Sequence, residues 1–355
     1  MTIQRQTLRT LDDLIASGAV DAAQGEALRP VVERFQVAVT PAMLGLMARD
    51  ESGAVAQGDA VAAQFLPDPR EAMVAPEELA DPIGDEAPRP LPGLIHRYAD
   101  RVLVQPTHVC AVSCRFCFRR ETVGPANGPL GEDQLRAIFA YIAQRPQIFE
   151  VILSGGDPLV LSPRRLRAMV DAIAAIEHVK VIRLHTRVPA VDPARVTPEL
   201  VLALKWRGAS YVVLHVNHAQ ELSPAALDAC ALLVDAGIPM LSQSVLLKGV
   251  NDDAVTLEAL FRTLVAHRIK PYYLHHGDLA QGTGHFRTSL AHGQALMRAS
   301  RRNLTGIAPP PYVLDIPGGH GKVPVGPAYV HDCAHGLEIE DPRGIRHSYP
   351  PKPQG

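Results

Sequence analysis

The sequence predicts a parallel α/β fold, and three observations predict it. From Arg101 onward, short β-branched runs alternate with amphipathic stretches, several of those stretches open on a capping residue followed by proline, and the length suits one large barrel or about two domains. The strand candidates are 102–104, 151–153, 179–184, 211–216, 240–247 and 272–274. Between them lie helix candidates at 132–144, 163–176, 198–206, 224–236 and 254–267, three of which start at Ser162-Pro163, Thr197-Pro198 and Ser223-Pro224. Strands separated by whole helices are not hairpins. Each crossover returns the chain to the same edge, so the sheet is parallel, and the loops at the carboxyl ends of its strands converge on one mouth.

Upstream the pattern differs. Leu11, Leu14 and Ile15 form an i, i+3, i+4 stripe and Thr40-Pro41 starts a further helix, whereas 66–92 is rich in Pro, Asp and Glu and reads as a wrapping linker. The expected organisation is a helical N-terminal segment and linker over 1–95, a core over 96–305, and a C-terminal segment and tail over 306–355. With 47% apolar and 20% charged residues, the chain can offset the entropy of ordering a sizeable core, which excludes a disordered protein. The 35 basic and 37 acidic residues leave a net charge of -2 and no global positive field for a polyphosphate backbone, so no nucleic-acid partner is expected. The N-terminus lacks the apolar region of a signal peptide and no apolar run approaches the ~18 residues of a membrane span, so the expectation is a cytoplasmic protein without a membrane partner.

Five cysteines are too few and too unevenly placed for a disulfide framework. Three of them, Cys110, Cys114 and Cys117, form a Cys-x-x-x-Cys-x-x-Cys run directly after the first strand of the array. Closely spaced thiolates select zinc or an iron-sulfur cluster. A structural zinc takes four ligands, and neither Cys230 nor Cys333 supplies a paired Cys or His at the spacing required. Three thiolates on a four-iron cluster leave one iron open for a substrate or cofactor. Other conspicuous residues also follow strands: Ser154-Gly155-Gly156-Asp157 the second, Thr186-Arg187 the third and Asp278 the sixth. Near the C-terminus, Asp315-Ile-Pro-Gly-Gly-His-Gly-Lys322 presents one lysine on a glycine run. It is not a Walker loop, because Val323 stands where Ser or Thr is needed.

The triad and its flanks, Cys114-Arg-Phe-Cys117-Phe-Arg-Arg120, resemble the radical S-adenosylmethionine (SAM) superfamily and, within it, the lysine 2,3-aminomutase family. The resemblance runs from about Arg9 to Tyr329. It implies a partial (β/α)6 barrel and a 4Fe-4S cluster on Cys110, Cys114 and Cys117, whose open iron chelates SAM and whose electron cleaves it to a 5'-deoxyadenosyl radical. By the same resemblance Ser154, Gly155, Gly156 and Asp157 contact SAM, and Lys322 carries pyridoxal 5'-phosphate (PLP) as a Schiff base. Arg97, Arg101, Gln243 and Arg187 are the further PLP-binding candidates. Arg119 takes the role of pairing with the substrate carboxylate, a bidentate task suited to guanidinium. Asp278 and Asp315 take that of holding the distal ammonium of L-lysine.

The activity implied is 2,3-amino migration, an isomerase reaction giving β-lysine. A reductase, flavodoxin or ferredoxin would supply the electron, and a homodimer is one arrangement the family allows. The same reaction could serve modification of elongation factor P, and arginine or glutamate could stand in for lysine. A non-catalytic iron-sulfur protein would leave Lys322, both aspartates and the arginines without a role. Longer members carry a zinc-binding cysteine tail that only Cys333 matches here, so no structural zinc is expected.

Overall fold

A computed structural model describes residues 6–51, 53–124, 128–333 and 336–351. Nine strands form one sheet in chain order. Strands β2 (Arg101–Thr107), β3 (Glu150–Gly155), β4 (Val181–Thr186), β5 (Ala209–His215), β6 (Met240–Val245), β7 (Ile269–His275) and β8 (Tyr312–Ile316) are all parallel. An antiparallel strand flanks each side, β1 (Leu94–Tyr98) beside β2 and β9 (Gly321–Pro324) beside β8. The six predicted strands fall within β2 to β7. Strands β1, β8 and β9 were not predicted, because each is five residues or fewer and carries charged residues or glycine where a strand pattern would continue. A separate antiparallel sheet of β10 (Val330–Cys333), β11 (Gly336–Glu340) and β12 (Arg346–Tyr349) follows.

Four short helices precede the sheet: α1 (Leu11–Ala16), α2 (Ala22–Arg34), α3 (Pro41–Leu46) and α4 (Ala60–Phe65). Thr10 caps α1 in a box with Asp13, and Thr40 caps α3 ahead of its N1 proline. The crossovers are α5 (Glu132–Ala143), α6 (Pro163–Ala174), α7 (Val188–Val191) with α8 (Pro198–Ala203), α9 (Pro224–Asp235), α10 (Ala254–Ala266) and α11 (Leu290–Asn303). Ser162, Thr197 and Ser223 each cap their helix through the side chain, as the cap-plus-proline pairs predict. Among the described residues no helix is long and apolar enough to cross a membrane.

Alternation along each strand sorts the side chains. Val151, Leu153, Ile182, Leu184, Val212 and Leu214 are fully buried on the outer face, in one cluster with Ile138, Ile142, Leu166 and Leu260 of the helices. Each such side chain contributes roughly 1.5–3 kcal/mol by leaving water. Their neighbours Glu150, Ile152, Ser154, Arg183 and His185 point the other way, into the barrel. The two edge strands approach one another, since the Lys322 amide donates to the Tyr98 hydroxyl at 2.9 Å. Gly321, at φ +93°, lies where a Cβ would sit 3.1 Å from that oxygen. The sheet is thereby curled into a nearly closed barrel.

The 66–92 stretch does more than wrap. Glu71, Glu78 and Asp85 recur at seven-residue intervals and all three are buried. Each meets arginine side chains from the barrel, and the stretch serves as an acidic strap rather than a passive linker.

Candidate active site

A cavity of about 520 Å3 runs inside the barrel and takes lining residues from every one of the seven parallel strands. Arg97, Arg101, Cys114, Cys117, Arg119, Ser154, Arg187, Gln243, Asp278, Asp315 and Lys322 all face it. Cys110 adjoins a smaller cavity of about 60 Å3 that all three cysteines of the triad share. Gly155, Gly156 and Asp157 stand behind this lining and join loops to one another.

The cysteine loop is seated by the end of β3. The Gly156 and Asp157 amides donate to the Thr107 and Val109 carbonyls at 2.8 and 2.9 Å. A Cβ on Gly156 would fall 2.4 Å from the Val109 oxygen, which is why glycine stands there. The Asp157 carboxylate accepts from the Thr186 hydroxyl and the Arg187 amide, both at 2.7 Å, and from the Leu159 amide at 3.0 Å. Burial still pushes its carboxyl above the ordinary range. Burial, together with neighbouring negative charge, pushes the Cys110 and Cys117 thiols up, Cys117 to about 11. Among the described residues no three His, Cys, Asp or Glu side chains converge as they would around a single metal ion. Three thiols from one short loop fit three corners of an iron-sulfur cluster.

Arg187 is held through both terminal nitrogens on the cysteine side of the cavity. Its Nη1 donates to Cys114 Sγ at 3.2 Å and its Nη2 to Gln64 Oε1 at 3.1 Å, and it forms an ion pair with Glu221. The other arginines of this wall are held by the strap. Glu71 receives Arg115 at 2.6 Å and also Arg120; Glu78 pairs with Arg287 and accepts from the Gly282 amide at 2.8 Å. Asp85 receives Arg97 at 3.0 Å and both Nε and Nη2 of Arg119, at 2.9 and 2.8 Å. Arg101 pairs with Asp100 at 2.8 Å and lies 3.8 Å from the Tyr98 ring centre. Sequence reasoning missed these acids. The available signal was the surplus of basic charge around the triad, Arg115, Arg119 and Arg120, which a buried site must neutralise.

The opposite wall is built by β7, β8 and β9. Asp315 and Lys322 are register partners across β8 and β9, and the Lys322 ammonium pairs with the Asp315 carboxylate. His275, at the end of β7, brings Nδ1 to 3.2 Å from Lys322 Nζ and 3.4 Å from Asp315. Burial alone would raise the Asp315 carboxyl, but His275 and Lys322 hold it well below the ordinary range. Asp278 lies three residues beyond β7, half-buried, with its Oδ1 atom buried and lacking any partner among the described residues. Burial, and then the neighbouring Asp315 charge, push its carboxyl up to about 7. Deeper in the barrel, Glu150 pairs with Arg183 at 2.8 Å, and His185 Nδ1 meets His215 Nε2 at 3.0 Å. Burial pushes both imidazoles down, His215 to about 3, so the pair is neutral. No local motif marks these residues among fifteen histidines.

The cavity thus holds one primary amine on a short strand, aromatic rings beside it and arginines within the same lining, with Tyr273 centred 5.6 Å from Lys322 Nζ. That donor set fits an aldehyde cofactor with an anionic group, such as PLP, beside a small amino acid.

Comparison with known proteins finds similarity to radical SAM aminomutases. The family model for the radical SAM superfamily matches residues 104–260. An L-lysine 2,3-aminomutase from Fusobacterium nucleatum is 35% identical over 346 residues, covering 97% of this chain and 80% of its own length. Another L-lysine 2,3-aminomutase, from Acetoanaerobium sticklandii, is 38% identical over 335 residues, covering 94% of this chain and 80% of its own length. A glutamate 2,3-aminomutase from Clostridioides difficile is 32% identical over 305 residues, with coverages of 86% and 71%.

Proposed function

The chain belongs to the lysine 2,3-aminomutase family of radical SAM enzymes, which are isomerases, and from that premise we propose that it converts L-lysine to β-lysine with PLP on Lys322. When bound, the 4Fe-4S cluster and SAM supply a hydrogen-abstracting radical, and PLP supplies a delocalising carrier for the migrating nitrogen. The observation that carries the substrate assignment is Asp278, a half-buried carboxylate facing the cavity with no ion-pair partner among the described residues. A carboxylate in that position costs free energy until a cation arrives, and a ligand ammonium is the group that offsets it. Asp315 beside it deepens the negative ground. A glutamate side chain would bring a third anion to these two, whereas arginine offers a cation of different shape.

The remaining residues orient. Arg119, fixed by Asp85, presents a guanidinium at the cavity surface for the substrate carboxylate. Arg97, held by the same carboxylate, together with Arg101 and Gln243 lines the part of the cavity assigned to PLP. Asp157 and Gly156 pin the cysteine loop, and Arg187 packs beneath Cys114. A one-electron donor of the reductase, flavodoxin or ferredoxin class would reduce the cluster.

The deciding experiment is an anaerobic assay of reconstituted protein with SAM, PLP and a reductant, offering L-lysine, L-arginine and L-glutamate in parallel. β-Lysine is the expected dominant product by mass spectrometry. SAM cleavage with lysine untouched would overturn the substrate assignment and leave the family assignment standing.

A further inference from the structure

Lys322 faces a chemical difficulty. As drawn by its surroundings it is an ammonium paired with Asp315, and an ammonium has no lone pair with which to attack an aldehyde. Something within reach of Nζ must take its proton. Asp315 is poorly suited, since it is already the counter-ion of the Lys322 ammonium.

We propose that His275 is the catalytic base that frees the Lys322 amine. Its Nδ1 lies 3.2 Å from Nζ, within hydrogen-bond reach, and the imidazole is buried inside the barrel between β8 and the cavity. With Lys322 as donor, Nδ1 must be the accepting nitrogen, and the ring proton therefore sits on Nε2, which has no partner among the described residues. In the step, one N–H bond of Nζ breaks and its electron pair stays on nitrogen. The proton bonds to Nδ1, and the resulting imidazolium is stabilised by Asp315 at 3.4 Å. The neutral amine attacks the aldehyde carbon, one further N–H proton passes to the aldehyde oxygen, and the imidazolium returns its proton to that same oxygen, which leaves as water while the C=N bond forms.

The surroundings of His275 favour the neutral, accepting form at rest. Burial is the largest influence and lowers its pKa; Lys322 on β9 lowers it too, while Asp315 on β8 raises it. His185 on β4 and His215 on β5 also feel its charge, and the Tyr273 ring stands edge-on to it at 5.7 Å. None of these is a stronger base placed closer to Nζ.

The inference rests on the assignment of PLP to Lys322, so the test separates the two and needs neither cluster nor SAM. Full-length protein is exposed to PLP across about pH 6.5 to 9.5, reduced with borohydride, and the label on Lys322 is followed by peptide mass spectrometry. In His275→Gln, which keeps the size and an accepting atom but cannot take a proton, labelling near pH 7 should slow ~10- to 100-fold. The deficit should close toward the ordinary lysine pKa of ~10, where solvent removes the proton. Added imidazole should restore the rate in His275→Ala. Equal rates near pH 7, or a deficit that persists at high pH and resists imidazole, would overturn the role of His275. Absence of label on Lys322 in the unsubstituted protein would instead overturn the assignment of PLP to that lysine.

Discussion

The two walls of the cavity are charged in different ways. On the cysteine side every carboxylate is paired, with five guanidiniums on three acids: Glu71 with Arg115 and Arg120, Asp85 with Arg97 and Arg119, Glu221 with Arg187. On the opposite side the matching is incomplete, with Lys322 and His275 sharing Asp315 while Asp278 has no ion-pair partner among the described residues. A network whose carboxylates are all paired is saturated on its acidic side and keeps a cluster loop in place, since removing an acid strands buried guanidiniums. An unsaturated one is costly in the empty protein and is where the charge of a ligand belongs. Arg97 and Arg119 belong to both scaffold and recognition, since Asp85 holds them and they line the cavity.

Lys322→Ala tests the recognition wall at its centre and carries the largest expected effect. Turnover should fall ~10,000-fold or more, while iron-sulfur absorbance and lysine-independent SAM cleavage persist, because the cysteine wall is untouched. Retained turnover would remove Lys322 from the reaction.

On the saturated wall, Glu71→Gln leaves Arg115 and Arg120 buried without their anion. A loss of about 3–5 kcal/mol is expected from denaturant unfolding. A variant as stable as the parent would show that the strap is not a scaffold.

Asp278→Asn should do the opposite to stability while weakening substrate use. Its folded-state pKa of about 7 lies above the unfolded value, so unfolding releases a proton between about pH 4 and 7. The parent therefore loses stability as pH rises through that window, the loss is complete above about pH 7, and asparagine escapes it. At pH 8 the variant should be more stable, by an amount on the order of a few kcal/mol, with the gap vanishing below about pH 4. The KM for lysine should rise ~10- to 100-fold. In the parent, lysine should bind less well as pH falls below about 7, because a protonated Asp278 no longer attracts the ammonium. Unchanged KM in the variant would remove Asp278 from recognition.

The smallest effect marks the baseline. Arg167 on α6 pairs with Asp171 four residues on, both about half exposed, and Arg167→Ala should change stability by less than about 0.5 kcal/mol. A larger loss would mean that the distinction between buried and exposed pairs is not what sets the cost at Glu71.

Much of the frame was legible beforehand because its causes are local. The cap-plus-proline pairs at Ser162, Thr197 and Ser223 start helices where predicted, and the six predicted runs fall in β2 to β7, since alternation and capping act within one turn or one strand. The glycines of β9 and the charged residues of β1 hid two edge strands whose pairing depends on partners already in place. Of the expected site residues, Arg119 and Arg187 are the instructive cases. A guanidinium free to meet a ligand and one already held by buried carboxylates look the same in a sequence, and the carboxylates concerned lie 34 residues from each.

Residue spacing alone specified the thiol triad, the alternation of strands and helices, and a lone lysine on a glycine run, because each is a property of neighbours along the chain. Which charge faces which did not follow from spacing. Asp315 meets Lys322 and His275 only because β7, β8 and β9 lie side by side, and Asp278 Oδ1 is without a partner among the described residues only because the fold buries that atom there. Burial and Coulomb interactions depend on distance in space and on exclusion of water, and neither exists until distant segments have packed together.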